Sequence, residues 1–162
     1  MNFSSAPKCT SLSIKLKIKN KSLPALLDSG AEVTVLKSSI AESLGIDTSN
    51  FEKVSLNNAE EGSSMEACLC PDFAFKIGTK TYNWPVFIAP IKVPFILGFD
   101  FAHHYGAVLD YGIPQLVLHN EKLPAIVNVP TEDFEVCRVK IDSKITLPPM
   151  SVSEIPVQLR GS

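Results

Sequence analysis

One carboxylate in this sequence stands where a charge is out of place. Asp28 follows the apolar run Leu23, Pro24, Ala25, Leu26, Leu27 and opens the turn Asp28-Ser29-Gly30-Ala31. Leu26 and Leu27 would make the floor beneath it dry, and burial of that kind raises a carboxyl pKa unless something compensates. Gly30 permits backbone angles and a close backbone approach that a side chain would block. Ser29 offers a hydroxyl that can tie one loop to another. A single carboxylate does not suffice to hydrolyse an amide with water. One group must take a proton from the water while another gives one to the substrate. Two carboxyls at about 3 Å cannot both ionise, so a pair shares one proton and fills both roles. On its own, Asp-Ser-Gly is also a common turn whose Asp caps or is solvated. The surrounding elements decide between the two.

Those elements read mostly as strands. Leu12, Ile14, Leu16 and Ile18 alternate with Ser13, Lys15, Lys17 and Lys19, the pattern of a half-buried strand with a wet, basic face. Asn20-Lys21 reads as a turn, and 23–27 as a second strand with Pro24 near its start, where proline is tolerated. Residues 33–36 predict another strand. Ser39 with Glu42 three residues on is a capping-box pattern, which predicts a helix over 39–44 closed by Gly45. Residues 54–56 and 65–70 predict strands on either side of the polar stretch 57–64, a hairpin tip. Residues 73–77 and 82–89 predict a second hairpin around Gly78-Thr79-Lys80. Residues 94–97 form an apolar strand ending at Gly98, after which Asp100 is placed to cap a short helix through Tyr105, ended by Gly106. Residues 108–109 and 116–118 predict further strands. Many short strands with two small helices indicate a mostly-β domain over residues 10–125, a closed barrel or sandwich rather than a βαβ fold. The remaining segment, 126–162, reads as a C-terminal extension. In it Cys137, Val139 and Ile141 alternate with Arg138, Lys140 and Asp142, and Pro148-Pro149 interrupts later on. It is extended chain, an extra hairpin or a linker toward a following polyprotein domain.

In this context the segment Leu26-Leu27-Asp28-Ser29-Gly30-Ala31-Glu32-Val33-Thr34 resembles the active-site segment of retroviral-type (retropepsin-like) aspartic proteases. Phe95-Ile96-Leu97-Gly98-Phe99-Asp100-Phe101 resembles their second signature, an apolar pair, then glycine, then a short helix. The two stand in the family's order, with the strands of a flap hairpin between them. That family is itself the standard illustration of two carboxyls sharing a proton.

The resemblance implies an aspartic endopeptidase with Asp28 as catalytic acid and base. Ser29 and Gly30 would support the active-site loop, and Gly30, Ala31 and Glu32 would meet substrate. The flap would bring Asn58, Ala59, Glu60, Glu61 and Gly62 over the peptide and exclude water. Ile96 would contact substrate, and Ile96, Leu97 and Gly98 would pack behind the loop. The family uses no metal and no cofactor. With one Asp-Ser-Gly in the chain, the second Asp28 would come from a two-fold-related subunit of a homodimer. The closest likeness is to the proteases of long-terminal-repeat retrotransposons, and Leu147-Pro148-Pro149-Met150-Ser151 resembles the stretch leading from protease toward reverse transcriptase in their polyproteins. Retroelement polyprotein processing is thus the first expectation. A cellular ubiquitin-shuttle-type retropepsin-like protease and a non-catalytic dimerisation or binding module of the same fold are the alternatives. The sequence departs from many viral members at Phe99, where they carry an arginine. Glu32 therefore lacks that partner for an ion pair. The terminal strands that clasp family dimers are not assigned from the sequence.

Composition bounds these readings. A chain of 162 residues with 45% hydrophobic and 20% charged residues suits one soluble domain with an appended segment. Its net charge of −2 suggests neither a nucleic-acid nor a membrane surface. No apolar run is long enough to span a bilayer, and the N-terminus lacks the apolar stretch of a secretory signal. The expected location is cytoplasmic, with retroelement particles as a particular setting. Cys9, Cys68, Cys70 and Cys137 form no CxxC pair and read as reduced thiols. His103 and His104 are adjacent and point to different helix faces, which disfavours a metal role. Tyr82, Trp84 and Phe87 read as core or cleft wall, Asp110 as a turn residue, and Lys15, Lys17, Lys19 and Lys21 as a solvated face.

Overall fold

The structure is a computed structural model that describes residues 11–58, 62–128 and 139–141. The alternating first segment forms β1 (Ser11–Ile18), which turns at Lys19 into β2 (Lys21–Leu27) as an antiparallel hairpin. Ile14, Leu16 and Ile18 are buried and Lys15 and Lys17 exposed, as their period of two requires. Ser13 departs from that alternation. It is buried because a later strand covers it, and Asn128 Nδ2 donates to its hydroxyl at 3.0 Å.

Beyond the Asp28 turn lie β3 (Val35–Lys37) and α1 (Ser38–Ser43). β4 (Glu52–Asn58) and β5 (Ser64–Ile77) form the first long hairpin, and β6 (Lys80–Ala89) returns along β5. β7 (Phe95–Leu97) leads into α2 (Phe99–His104). β8 (Val108–Asp110), β9 (Gln115–Leu118) and β10 (Glu121–Pro124) make a small separate sheet. β11 (Ile126–Asn128) then pairs with β1, and β12 (Val139–Ile141) pairs with β4.

The main sheet has the order β11-β1-β2-β7-β3-β6-β5-β4-β12. β1 also pairs with β5, Leu16 opposite Ile77 and Lys17 opposite Lys76, so the path β1-β2-β7-β3-β6-β5 returns to its start. The fold is mostly β with two short helices, as the strand-rich pattern predicts. β7 threads between β2 and β3, parallel to β2 and antiparallel to β3. That insertion brings the two sequence motifs side by side.

Two apolar clusters fill the interior. One is built on Ile14, Leu16, Phe75, Tyr82, Trp84 and Phe101. The other gathers Leu26, Ala31, Val33, Leu56, Phe87 and Ile96. Tyr82, Trp84 and Phe87 are thus core residues. Cys68 and Cys70 are both free thiols on β5.

Several local expectations are corrected. The Ser39–Glu42 capping box does not form: α1 starts one residue earlier, its N-cap is Lys37, and no side chain caps it. β3 runs straight into the helix, so no free N-terminal residue is left to cap. Asp100 is not a cap either. The N-cap of α2 is Gly98, and Asp100 lies inside the first turn, where its carboxylate accepts from the Thr34 hydroxyl. Residues 65–70 and 73–77 are one strand, not two, with a bulge between Cys70 and Phe73 that accommodates Pro71. In the C-terminal extension, residues 139–141 are a single strand on β4. Residues 126–128 of the extension form β11, and its remaining residues, the Leu147–Ser151 stretch included, lie outside the described residues. Among the described residues no helix is long and apolar enough to cross a membrane.

Candidate active site

Asp28 begins where β2 ends. Its N–H donates to the Leu97 carbonyl at 3.2 Å, continuing the β2–β7 pairing by one residue. The chain then turns tightly: the Ala31 N–H donates to the Asp28 carbonyl at 3.1 Å, and the Gly30 N–H to Asp28 Oδ1 at 2.9 Å. The second bond fixes the carboxylate against its own turn. Asp28 Oδ2 is shielded from solvent, while the residue as a whole is half-buried. Ser29 and Gly30 are exposed at the tip of the turn.

The far side of the turn is stitched to the second motif. The Phe99 N–H donates to the Ala31 carbonyl at 2.8 Å. The Gly98 N–H donates to Thr34 Oγ1 at 3.1 Å. The Thr34 hydroxyl in turn donates to Asp100 Oδ1 at 2.8 Å, and the Thr34 N–H to Asp100 Oδ2 at 3.2 Å. Trp84 Nε1 completes the set with a 2.9 Å bond to the same Oδ2. Gly98 has to be glycine here, since a Cβ would collide with the Val33 carbonyl and lie 2.9 Å from Asp100 Oδ1. Burial pushes the Asp100 carboxyl up to about 6, while the Trp84 and Thr34 donors pull the other way.

The expected site residues divide by location. Asp28, Ser29, Gly30, Ala31 and Glu32 share one turn, braced from behind by Leu97 and Gly98. Ala31 and Ile96 are both fully buried, so their side chains pack inward in the single subunit. Glu32 is half-buried. At the arginine position of viral relatives, Phe99 lies against the His103 ring, with centroids 5.2 Å apart. Asn58 and Gly62 flank the end of the β4–β5 hairpin; Asn58 donates from its N–H to the Ser63 carbonyl at 2.9 Å, and Gly62 has φ +79°. Ala59, Glu60 and Glu61 lie outside the described residues. The hairpin and the Asp28 turn share one apolar cluster, in which Leu56 and Met65 join Ala31. A cavity of about 400 Å³ lined by Lys15, Lys17, Ser22, Lys76, Gly78 and Pro124 shares no residue with either motif. Asp110 is a turn residue, accepting from the Gly112 and Ile113 N–H groups at 2.8 and 3.0 Å.

Sequence reading missed the roles of Thr34, Trp84 and Asp100. Thr34 stands inside the first motif, and its hydroxyl is the only signal that it had a partner to find. Nothing local in the sequence joins Trp84 to Asp100.

The turn, the crossing strand and the glycine-led helix behind them define an aspartyl protease scaffold. A family model described as aspartyl protease matches residues 14–101, more than half of the chain, and the chain belongs to that family. It is a retropepsin-like aspartic protease in fold. The structure is similar to the crystal structure of the retroviral protease-like domain of Ddi1 from Leishmania major, with a TM-score of 0.62 at 19% identity, covering 78% of this chain and 100% of that one. It is also similar to a retropepsin-like aspartic protease from Rickettsia conorii, with a TM-score of 0.52 at 17% identity, covering 73% of this chain and 86% of that one. Identities this low speak for the fold alone. Among curated proteins no sequence match is found.

Proposed function

We propose that the protein is a homodimeric aspartic endopeptidase that cuts extended peptides with water held between two Asp28 carboxylates. The observation that carries this reading is the Asp28 turn itself, a carboxylate braced by Leu97 and Gly30 on a loop that the second motif holds from behind. One carboxylate takes a proton from the water, whose oxygen attacks the scissile carbonyl carbon. The partner carboxyl gives its proton to the carbonyl oxygen. The C–N bond then breaks as the protonated carboxyl gives its proton to the leaving nitrogen and the other carboxylate takes one from a hydroxyl of the tetrahedral intermediate. The pair must hold one proton throughout, so activity leans to the acid side. Ser29 and Gly30, exposed at the tip, are where two such turns would meet. The β4–β5 hairpin serves as the flap, and no metal or cofactor takes part.

Two features support a dimer. One Asp-Ser-Gly supplies only half of a two-carboxylate site. β11 is an edge strand with Ile126 57% and Val127 48% exposed, an apolar edge of the kind a second copy can cover. We assign the protease domain to residues 10–125 and take 126–162 as an extension that returns to the domain through β11 and β12. Processing of a retroelement polyprotein is the substrate reading favoured by the sequence motifs. A cellular retropepsin-like protease is the second, supported by the fit to the whole Ddi1 domain.

The test is cleavage of a peptide library at several pH values by wild type and Asp28→Asn at matched folding. The expected result is cutting by wild type, a loss of about 10²–10⁴-fold or more in the variant, and a rate that rises faster than linearly with enzyme at low concentration. A folded, dimeric protein that cuts nothing would move the non-catalytic binding module to first place. Full activity well above neutral pH would sink the shared-proton mechanism.

A further inference from the structure

The β4–β5 hairpin has one edge filled by β5's neighbours and one that belongs to β4. On the β4 edge lies a strand from late in the same chain. Val139 stands opposite Asn58, Lys140 opposite Asn57 and Ile141 opposite Leu56, antiparallel. Leu56, within this stretch, belongs to the apolar cluster that also holds Leu26, Ala31 and Ile96 around the Asp28 turn. An extended peptide covered by the hairpin would add to the same edge through its backbone, which is how strand addition to an open sheet edge works. Ladder hydrogen bonds take no account of side chains, so a tail strand and a substrate strand draw on the same donors and acceptors. Asn58 Nδ2 donates to Ser63 Oγ at 3.0 Å, which ties β4 to the turn side of the hairpin beside this edge.

We propose that the β4 edge at Leu56, Asn57 and Asn58 is the peptide-docking edge of the active site and that residues 139–141 occupy it in cis, so that substrate enters by displacing the chain's own tail. The inference rests on the proteolytic reading for its effect on catalysis, but not for the binding itself. The occupant defines the ligand class: an extended segment rich in β-branched residues, which Val139-Lys140-Ile141 is. The ten residues 129–138 between β11 and β12 span up to about 35 Å when extended. Covalent linkage across ten residues keeps the tail at high effective concentration near the edge.

The test uses the full chain and the double variant V139P/K140P. Successive strand residues aim their N–H groups to opposite sides, so one of the two prolines removes a ladder donor whichever residue faces β4. Amide hydrogen exchange at residues 56–58 should be at least tenfold faster in the variant. A synthetic peptide of residues 133–147 added to the variant should restore the protection. KM for a fluorogenic peptide should fall several-fold with kcat unchanged. Equal exchange in the two proteins overturns the proposal, and so does faster exchange with an unchanged or higher KM. If neither protein cuts any peptide, the proteolytic reading has failed on its own account. Exchange then decides alone: protection restored by the added peptide upholds the docking edge, and protection not restored overturns it.

Discussion

Thr34 grips Asp100 twice, through its hydroxyl to Oδ1 at 2.8 Å and through its N–H to Oδ2 at 3.2 Å. The two residues are 66 positions apart in sequence, and each belongs to one of the two motifs. The same hydroxyl accepts the Gly98 N–H, so a single oxygen joins the loop that carries Asp28 to the start of α2. Asp100 thus holds the Asp28 loop from behind, through Thr34.

Thr34→Val keeps the shape and removes that oxygen. The Gly98 N–H and Asp100 Oδ1 each lose a buried partner, at about 1–3 kcal/mol for each group left unpaired. Urea unfolding should show a lower midpoint with an unchanged slope. Peptide cleavage, where measured, should lose kcat more than KM. Thr34→Ser retains the hydroxyl and should recover most of both. A valine variant as stable as wild type would show that the bridge is idle.

Asp100 also predicts a pH dependence of stability. Its folded-state carboxyl lies at about 6 against an ordinary 3.8, with burial as the first cause. The folded state therefore favours the protonated form. That contribution is complete below 3.8 and is lost as the pH rises through about 6. At about 1.36 kcal/mol per pKa unit, the gap of about two units corresponds to roughly 3 kcal/mol. Asp100→Asn cannot titrate, so the stability of wild type relative to this variant should fall between about pH 4 and pH 7. Urea titrations of both proteins across that range measure the difference. Parallel curves would contradict the buried-acid description.

Much of this architecture was legible because it is local. The alternation of Leu12 to Ile18 showed β1, and the apolar run into Asp28-Ser29-Gly30 showed where a carboxylate meets a turn. Long-range choices were not legible. Asp100 read as a helix cap because Asp is a good cap, but three donors on two distant segments outbid the helix end. Residues 65–70 and 73–77 read as two strands, yet a bulge lets β5 run on past Pro71. Ser39 and Glu42 matched a capping box, but β3 delivers the chain into α1 with no such residue free. Of the site, the Asp28 turn could be read directly. Its bracing by Thr34, Trp84 and Asp100 depends on β7 threading between β2 and β3, a topology that no local pattern encodes.

Gly98→Ala tests the close approach at that crossing. The added Cβ would collide with the Val33 carbonyl, and backbone cannot swing aside as a side chain can. Overpacking of this kind costs about 1–3 kcal/mol. Relief requires the loop and β7 to separate, which lengthens the Phe99-to-Ala31 bond that now measures 2.8 Å. The expected result is a lower Tm together with faster hydrogen exchange at the Phe99 amide. An alanine variant with wild-type Tm and unchanged exchange there would refute the contact.

The edge strand β11 makes the last prediction. Neighbouring strand residues point to opposite faces, so exposure of both Ile126 and Val127 leaves this strand uncovered on both sides. A charge there costs the folded subunit little, because surface substitutions away from special features usually stay within about 0.5 kcal/mol. In a dimer that buries the edge, the same charge loses its hydration with no partner to compensate. The variant I126D/V127D should therefore keep the wild-type monomer's unfolding midpoint while sedimenting as a monomer at concentrations where wild type is a dimer. If cleavage needs two Asp28 groups, its activity should fall with the dimer population and return as the protein is concentrated. A wild-type dimer left intact by both aspartates would place the subunit contact elsewhere, and the exposed apolar face of β11 would then have no part in it.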